Sequence, residues 1–207
     1  MIGKIIAIVG GPRSGKSFLA KKLADHYAAK LFLEGEDADF PERIKEDIAK
    51  NIRPLERILW FRNTLVSQYL NALELRKKGE VVVLDVFWLG PKLFIDILLQ
   101  DDFEKEVTRQ ILDMDEQMLG MPDVLLHLKI SEYKMREFLR LGAREFDQSE
   151  EFIKNQALPV AKMWEDFCKN EIALKDSVLT IDRSNIDFSN QTDFLLLTAQ
   201  VDSRLRR

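Results

Sequence analysis

Near its start the chain carries an unbroken apolar run, Lys4-Ile5-Ile6-Ala7-Ile8-Val9, rich in branched side chains. A run without polar alternation predicts a strand buried on both faces. Leu31-Phe32-Leu33, ending at Glu34, predicts a short second strand. Val81–Leu84, Asp123–Leu128 and Ser177–Ile181 predict three more. Between them apolar residues recur at helical spacing. Helices are predicted over about 15–29, from Asp39-Phe40-Pro41-Glu42 onward, over about 54–78, from Gly90-Pro91, from Asp101 to about Leu119, over about 150–170, and at the end of the chain. In the longest, Leu55, Ile58, Leu59, Val66, Tyr69, Leu70 and Leu73 form one stripe, and Gly79 ends it. Asp101 followed by Glu104 has the spacing of a reciprocal helix cap. Strands alternating with helices predict an α/β fold: a five-stranded parallel sheet between two helical layers, in one domain over 1–207. Ligands of such sheets lie beyond the carboxyl ends of the strands, where Gly10, Glu34 and Asp85 fall.

One of those ends carries a complete phosphate-loop pattern. Gly10-Gly11-Pro12-Arg13-Ser14-Gly15-Lys16-Ser17 fits G-x-x-x-x-G-K-S between a predicted strand and a predicted helix. Glycines let the backbone curl so that its N–H groups converge on phosphate at a helix N-terminus. Lys16 adds a point charge for the β and γ phosphates, and Ser17 offers a hydroxyl to Mg²⁺. Phe18 follows in the first helical turn and completes the stretch expected to hold ATP. Asp85, at the end of its strand, is placed to hold Mg²⁺ with Ser17, although an acid there also serves as a simple cap. No guanine-reading N-K-x-D run occurs, and large ATPases are longer, so a small-molecule kinase fits best.

Arg136, Arg140 and Arg144 recur every fourth residue. Near Gly142 the helix is expected to give way to a mobile lid over about 136–148, whose arginines neutralise charge on the transferring group. The plainer alternative is a solvated basic face paired with Glu132, Glu137 or Glu145. Arg62 falls on the stripe of the long helix, where a cation needs a polar pocket. Phe87, Trp88 and Phe94 either stack on a base or fill the core.

Composition narrows the classes further. The 207 residues suit one domain, and 46% hydrophobic content is enough for a core. A net charge of −4 gives no sign of nucleic acid or an anionic membrane as partner. The single cysteine, Cys168, excludes an internal disulfide, and the first apolar run is too short for a secretion signal, so a cytoplasmic location is expected.

With these residues in view the chain resembles the deoxynucleoside kinase family of P-loop enzymes. The likeness runs over nearly the whole chain. It rests on Gly10–Ser17, Glu34, Pro54-Leu55-Glu56-Arg57, Val82-Val83-Leu84-Asp85, Pro122–Leu128, Arg136, Arg140, Arg144-Glu145-Phe146-Asp147, Leu179-Thr180-Ile181-Asp182 and Ile186-Asp187-Phe188. The resemblance implies ATP and Mg²⁺ as cofactors and the 5′-hydroxyl of a nucleoside as acceptor. It makes Glu34 the general base, Lys16, Arg140 and Arg144 the charge-stabilising residues, Asn63 the reader of the base edge, and Asp147 the holder of the sugar 3′-hydroxyl. It also implies a homodimer formed through helices. Two departures stand out: Val86 occupies the place of an arginine after Asp85, and Glu34-Gly35-Glu36 replaces an acid followed by proline. Two alternatives remain: a nucleoside monophosphate kinase of the thymidylate kinase type, and a nucleotide-binding relative without catalysis.

Overall fold

A computed structural model describes residues 3–35, 40–141, 150–170 and 177–206. Five strands form one parallel sheet in the order β2-β3-β1-β4-β5: β1 Lys4–Gly10, β2 Lys30–Phe32, β3 Val81–Leu84, β4 Val124–Lys129 and β5 Val178–Asp182. Every pairing is parallel, with Ala7 opposite Leu84 on one side of β1 and opposite Leu125 on the other. β1 is central, which is why its residues carry no polar alternation.

Helices cover both faces. Ile5, Ala7 and Val9 point to a layer formed by α3 (Pro54–Lys77) and α8 (Leu158–Asn170), packing with Leu65, Val66, Tyr69, Val160 and Trp164. Ile6 and Ile8 point the other way, to Leu19 and Leu23 of α1 (Lys16–Tyr27) and Phe194, Leu197 and Val201 of α9 (Gln191–Leu205). The three-layer α/β sandwich expected from the strand–helix alternation is therefore present. The remaining helices are α2 (Glu42–Ala49), α4 (Gly90–Leu98), α5 (Asp102–Leu119), α6 (Glu132–Leu141) and the short α7 (Glu150–Phe152).

Three details differ from the sequence pattern. On α3 the core face is Ile58, Leu65, Val66, Tyr69 and Ala72, while Leu70 stands exposed. Only one half of the expected cap on α5 forms: the Asp101 carboxylate accepts from the Glu104 N–H at 2.9 Å. The single helix expected over 150–170 widens into a π turn at Ile153–Ala157. Pro159 has no N–H to give, and its ring crowds the carbonyl four residues before it, so the backbone loosens one turn earlier.

Candidate functional site

Three glycines shape the loop joining β1 to α1. Gly10 and Gly15 have φ of +147° and +91°, values open mainly to glycine, and Arg13 between them is left-handed at φ +58°. Close approach explains the third. A side chain on Gly11 would lie 2.9 Å from both the Met135 Cε of α6 and the Ala161 Cβ of α8. The Lys16 ammonium donates into the curl, to the carbonyls of Gly10 at 3.3 Å and Gly11 at 3.1 Å. Ser14 is fully buried there, and its Oγ has no hydrogen-bond partner. Pro12 and Arg13 are half-buried, whereas Ser17 and Phe18 are exposed on the first turn of α1. A cation resting on carbonyls inside a glycine curl, beside an orphaned hydroxyl, fits an anion such as polyphosphate.

The tips of β2 and β3 are fastened together next to this loop. The Asp85 N–H donates to the Phe32 carbonyl at 3.2 Å. The buried Asp85 carboxylate in turn accepts from the Glu34 N–H at 2.7 Å. Gln68 of α3 donates to the Leu33 carbonyl at 2.8 Å, fixing the same segment from behind. Because Ala7 is paired with Leu84, Asp85 falls level with Ile8, two residues short of Gly10. Lys16, Ser17, Glu34 and Asp85 therefore belong to one end of the sheet.

Other residues singled out in the sequence have different surroundings. Phe87 and Trp88 are buried against Tyr69 in the core, and Trp88 Nε1 donates to the Gly120 carbonyl at 3.1 Å. Phe94 packs against the same core, so all three aromatics fill it. Arg62 meets a partner that the sequence did not disclose. Its Nε donates to the carboxylate of Asp115 on α5 at 2.7 Å, its second nitrogen bonds the other carboxylate oxygen, and its third donates to Asn63 Oδ1 at 2.8 Å. Asp115 is itself fully buried, so the polar pocket that Arg62 needs is this carboxylate. Arg136 pairs with Glu132 and Glu150, in keeping with a solvated helix face. Arg140 is exposed on the last turn of α6. Arg144 and Asp147 lie outside the described residues, as do Glu145 and Phe146.

Two features escaped the sequence reading. Phe40, Trp60 and Phe61 meet edge to face, with ring centroids 4.9–5.5 Å apart, one step before Arg62. The adjacent aromatics Trp60-Phe61 were the available signal. Arg183 follows β5, and its Nε lies 3.5 Å from the position a Cβ would take on Gly15. Its only signal was its place at a strand end, level with the other site residues. Burial pushes the Cys168 thiol up to about 12, which suits packing rather than reactivity. Among the described residues no group of three or more His, Cys, Asp or Glu stands ready to hold a metal, and no helix is long and apolar enough to cross a membrane.

In sequence, no family model and no curated protein matches the chain. In structure it is similar to deoxyadenosine kinase from M. mycoides with bound dATP, at TM-score 0.71 and 16% identity over 96% of this chain and 99% of that one. The same enzyme with the products dCMP and dCDP gives TM-score 0.68 at 14% identity, with the same coverage. Thymidylate kinase from Candida albicans gives 0.67 at 18% identity over 98% of this chain and 93% of that one. At these identities the likeness is one of fold: the chain is built as these nucleoside and nucleotide kinases are.

Proposed function

We propose that the protein is an ATP-dependent kinase that transfers the γ-phosphate to the 5′-hydroxyl of a nucleoside. The observation that carries this reading is the Glu34–Asp85 junction beside a complete phosphate loop. The fold neighbours support the class, since the M. mycoides enzyme is a nucleoside kinase and the structures with dATP and dCMP hold nucleotides.

In the reaction the loop N–H groups and Lys16 hold the triphosphate. Ser17 and Asp85 would hold Mg²⁺, which when bound would supply neutralisation of the phosphate charge. Glu34 accepts the proton of the 5′-hydroxyl as its oxygen bonds to the γ-phosphorus and the bond to the leaving diphosphate breaks. Asp85 fixes the backbone of Glu34 and so positions the base. Arg140 and Arg144 are the cations assigned to the charge on the transferring group. Arg62, held by Asp115, and Asn63 are assigned to the acceptor.

The monophosphate reading has support in the thymidylate kinase neighbour. A phosphate-bearing acceptor needs further cations, however, and position 86 holds a buried valine. A homodimer is part of the proposal. The stripe Phe103, Val107, Met114 and Met118 on α5 is exposed and spaced for a second copy.

Phosphate transfer measured across deoxynucleosides and their monophosphates tests the proposal. Turnover with a nucleoside, lost at least ~100-fold in Lys16→Ala, is the expected result. Turnover with monophosphates alone transfers the assignment to the second reading. Tight ATP binding without any turnover leaves a non-catalytic nucleotide binder.

A further inference from the structure

Arg183 is a cation for which the reaction drawn above has no use. Its guanidinium carbon lies 5.1 Å from the ring centre of Phe138 on α6 and 4.5 Å from that of Phe188 in the β5–α9 loop. One terminal nitrogen donates to the Ile186 carbonyl. The Nε–H is buried and has no hydrogen-bond partner. The adjacent acid, Asp182, accepts from the Ser184 N–H at 3.0 Å and the Asn185 side-chain amide at 3.1 Å, Asp187 accepts from the Ser189 N–H at 2.9 Å, and none of the ion pairs among the described residues includes Arg183. Burial pushes the pKa of this guanidinium down, the direction expected of a desolvated cation, and the charge of Asp187 opposes that only in part.

Arg183 is half-buried with its Nε wholly withdrawn from water, and a cation so desolvated is normally paired. The space beside Arg183 indicates which counter-ion is due. A Cβ on Gly15 would lie 3.5 Å from Nε and 3.8 Å from the Phe188 ring, so guanidinium and ring lie beside the residue just before Lys16. This is the N-terminus of α1, where backbone N–H groups and the helix dipole gather negative charge. With two aromatic rings stacked against it, the guanidinium still offers its edge. An edge suits phosphate oxygens, whereas a nucleobase would need a face.

We propose that Arg183 is a donor-phosphate ligand. Through its unpaired Nε–H it completes the polyphosphate site from the β5 side and takes up charge on the diphosphate that leaves. The proposal rests on the nucleotide-binding reading of Gly10–Ser17. It also assigns a task to the aromatic pair: Phe138 and Phe188 hold the guanidinium edge-on to the loop.

Binding of Mg·ATP and of inorganic tripolyphosphate, measured by calorimetry on the wild type, R183Q, R183K and K16A, tests it. R183Q is expected to weaken both ligands at least tenfold, and R183K to restore most of the loss. The melting temperature of unliganded R183Q should equal or exceed that of the wild type, because a desolvated cation has been removed. Three results overturn the proposal: ATP weakened with tripolyphosphate unaffected, which would make Arg183 a base contact; both ligands bound as in the wild type; or lower stability with unchanged affinity, which would make it a structural staple. If the wild type binds neither ligand, or K16A binds both as tightly, the phosphate-loop reading itself fails and takes the proposal with it. Strong wild-type binding, abolished in K16A and intact in R183Q, removes the Arg183 proposal alone.

Discussion

His127, on β4, is buried with its Nδ1 3.4 Å from Thr180 Oγ1, and burial pushes its imidazole from the ordinary 6.5 down to about 4. The unfolded chain therefore takes up this proton at higher pH than the folded one. The resulting stability is complete above about pH 6.5 and falls as pH drops from there to about 4, by up to ~3 kcal/mol. Denaturant unfolding of the wild type and His127→Gln at pH 7 and 4.5 checks this. The wild type should lose more stability than the variant over that interval; equal losses would count against it. Asp115 presents the complementary case. It is fully buried and neutralises Arg62, so Asp115→Ala leaves a cation without its partner and should cost about 3 kcal/mol in the same assay. Substituting both residues by leucine should recover much of that loss.

At the level of elements, α6 and α8 press on the phosphate loop at Gly11. Gly11→Val would force Met135 and Ala161 apart, and should weaken ATP binding at least tenfold while the far-ultraviolet circular dichroism is retained. The sheet that carries this loop was legible in the chain, because β1, β3 and β4 are buried on both faces and their branched runs report it directly. The loop was legible as well, since its glycines are demanded by local backbone geometry. Long-range pairings were not. Arg62 and Asp115 are 53 positions apart, Glu34 and Asp85 are 51 apart, and neither separation leaves a periodic trace. The aromatics Phe87 and Trp88 show the same limit: their spacing suits a stacking pocket or a core, and only their packing against Tyr69 decides for the core.

For the whole molecule, the parallel sheet gathers the ends of β1, β2, β3 and β5 at one rim. The phosphate loop, Glu34, Asp85 and Arg183 thereby meet although they are scattered over most of the chain. The opposite rim is structural. There Asp123 accepts from the Ile5 N–H at 2.9 Å and pairs with Lys4 and Arg76, tying β1, β4 and α3 together. Away from both rims, α5 exposes Phe103, Met114 and Met118. Light scattering should give the mass of two copies for the wild type and of one for Met114→Glu/Met118→Glu; a monomeric wild type would rule out the pairing.

The central claim is that a carboxylate beside the phosphate loop takes the proton of an attacking hydroxyl. Its most direct test is single-turnover phosphate transfer by Glu34→Gln, with ATP affinity measured in parallel. The account predicts a rate lower by about 10²–10⁴ with ATP affinity unchanged. A variant that transfers phosphate as fast as the wild type would contradict it.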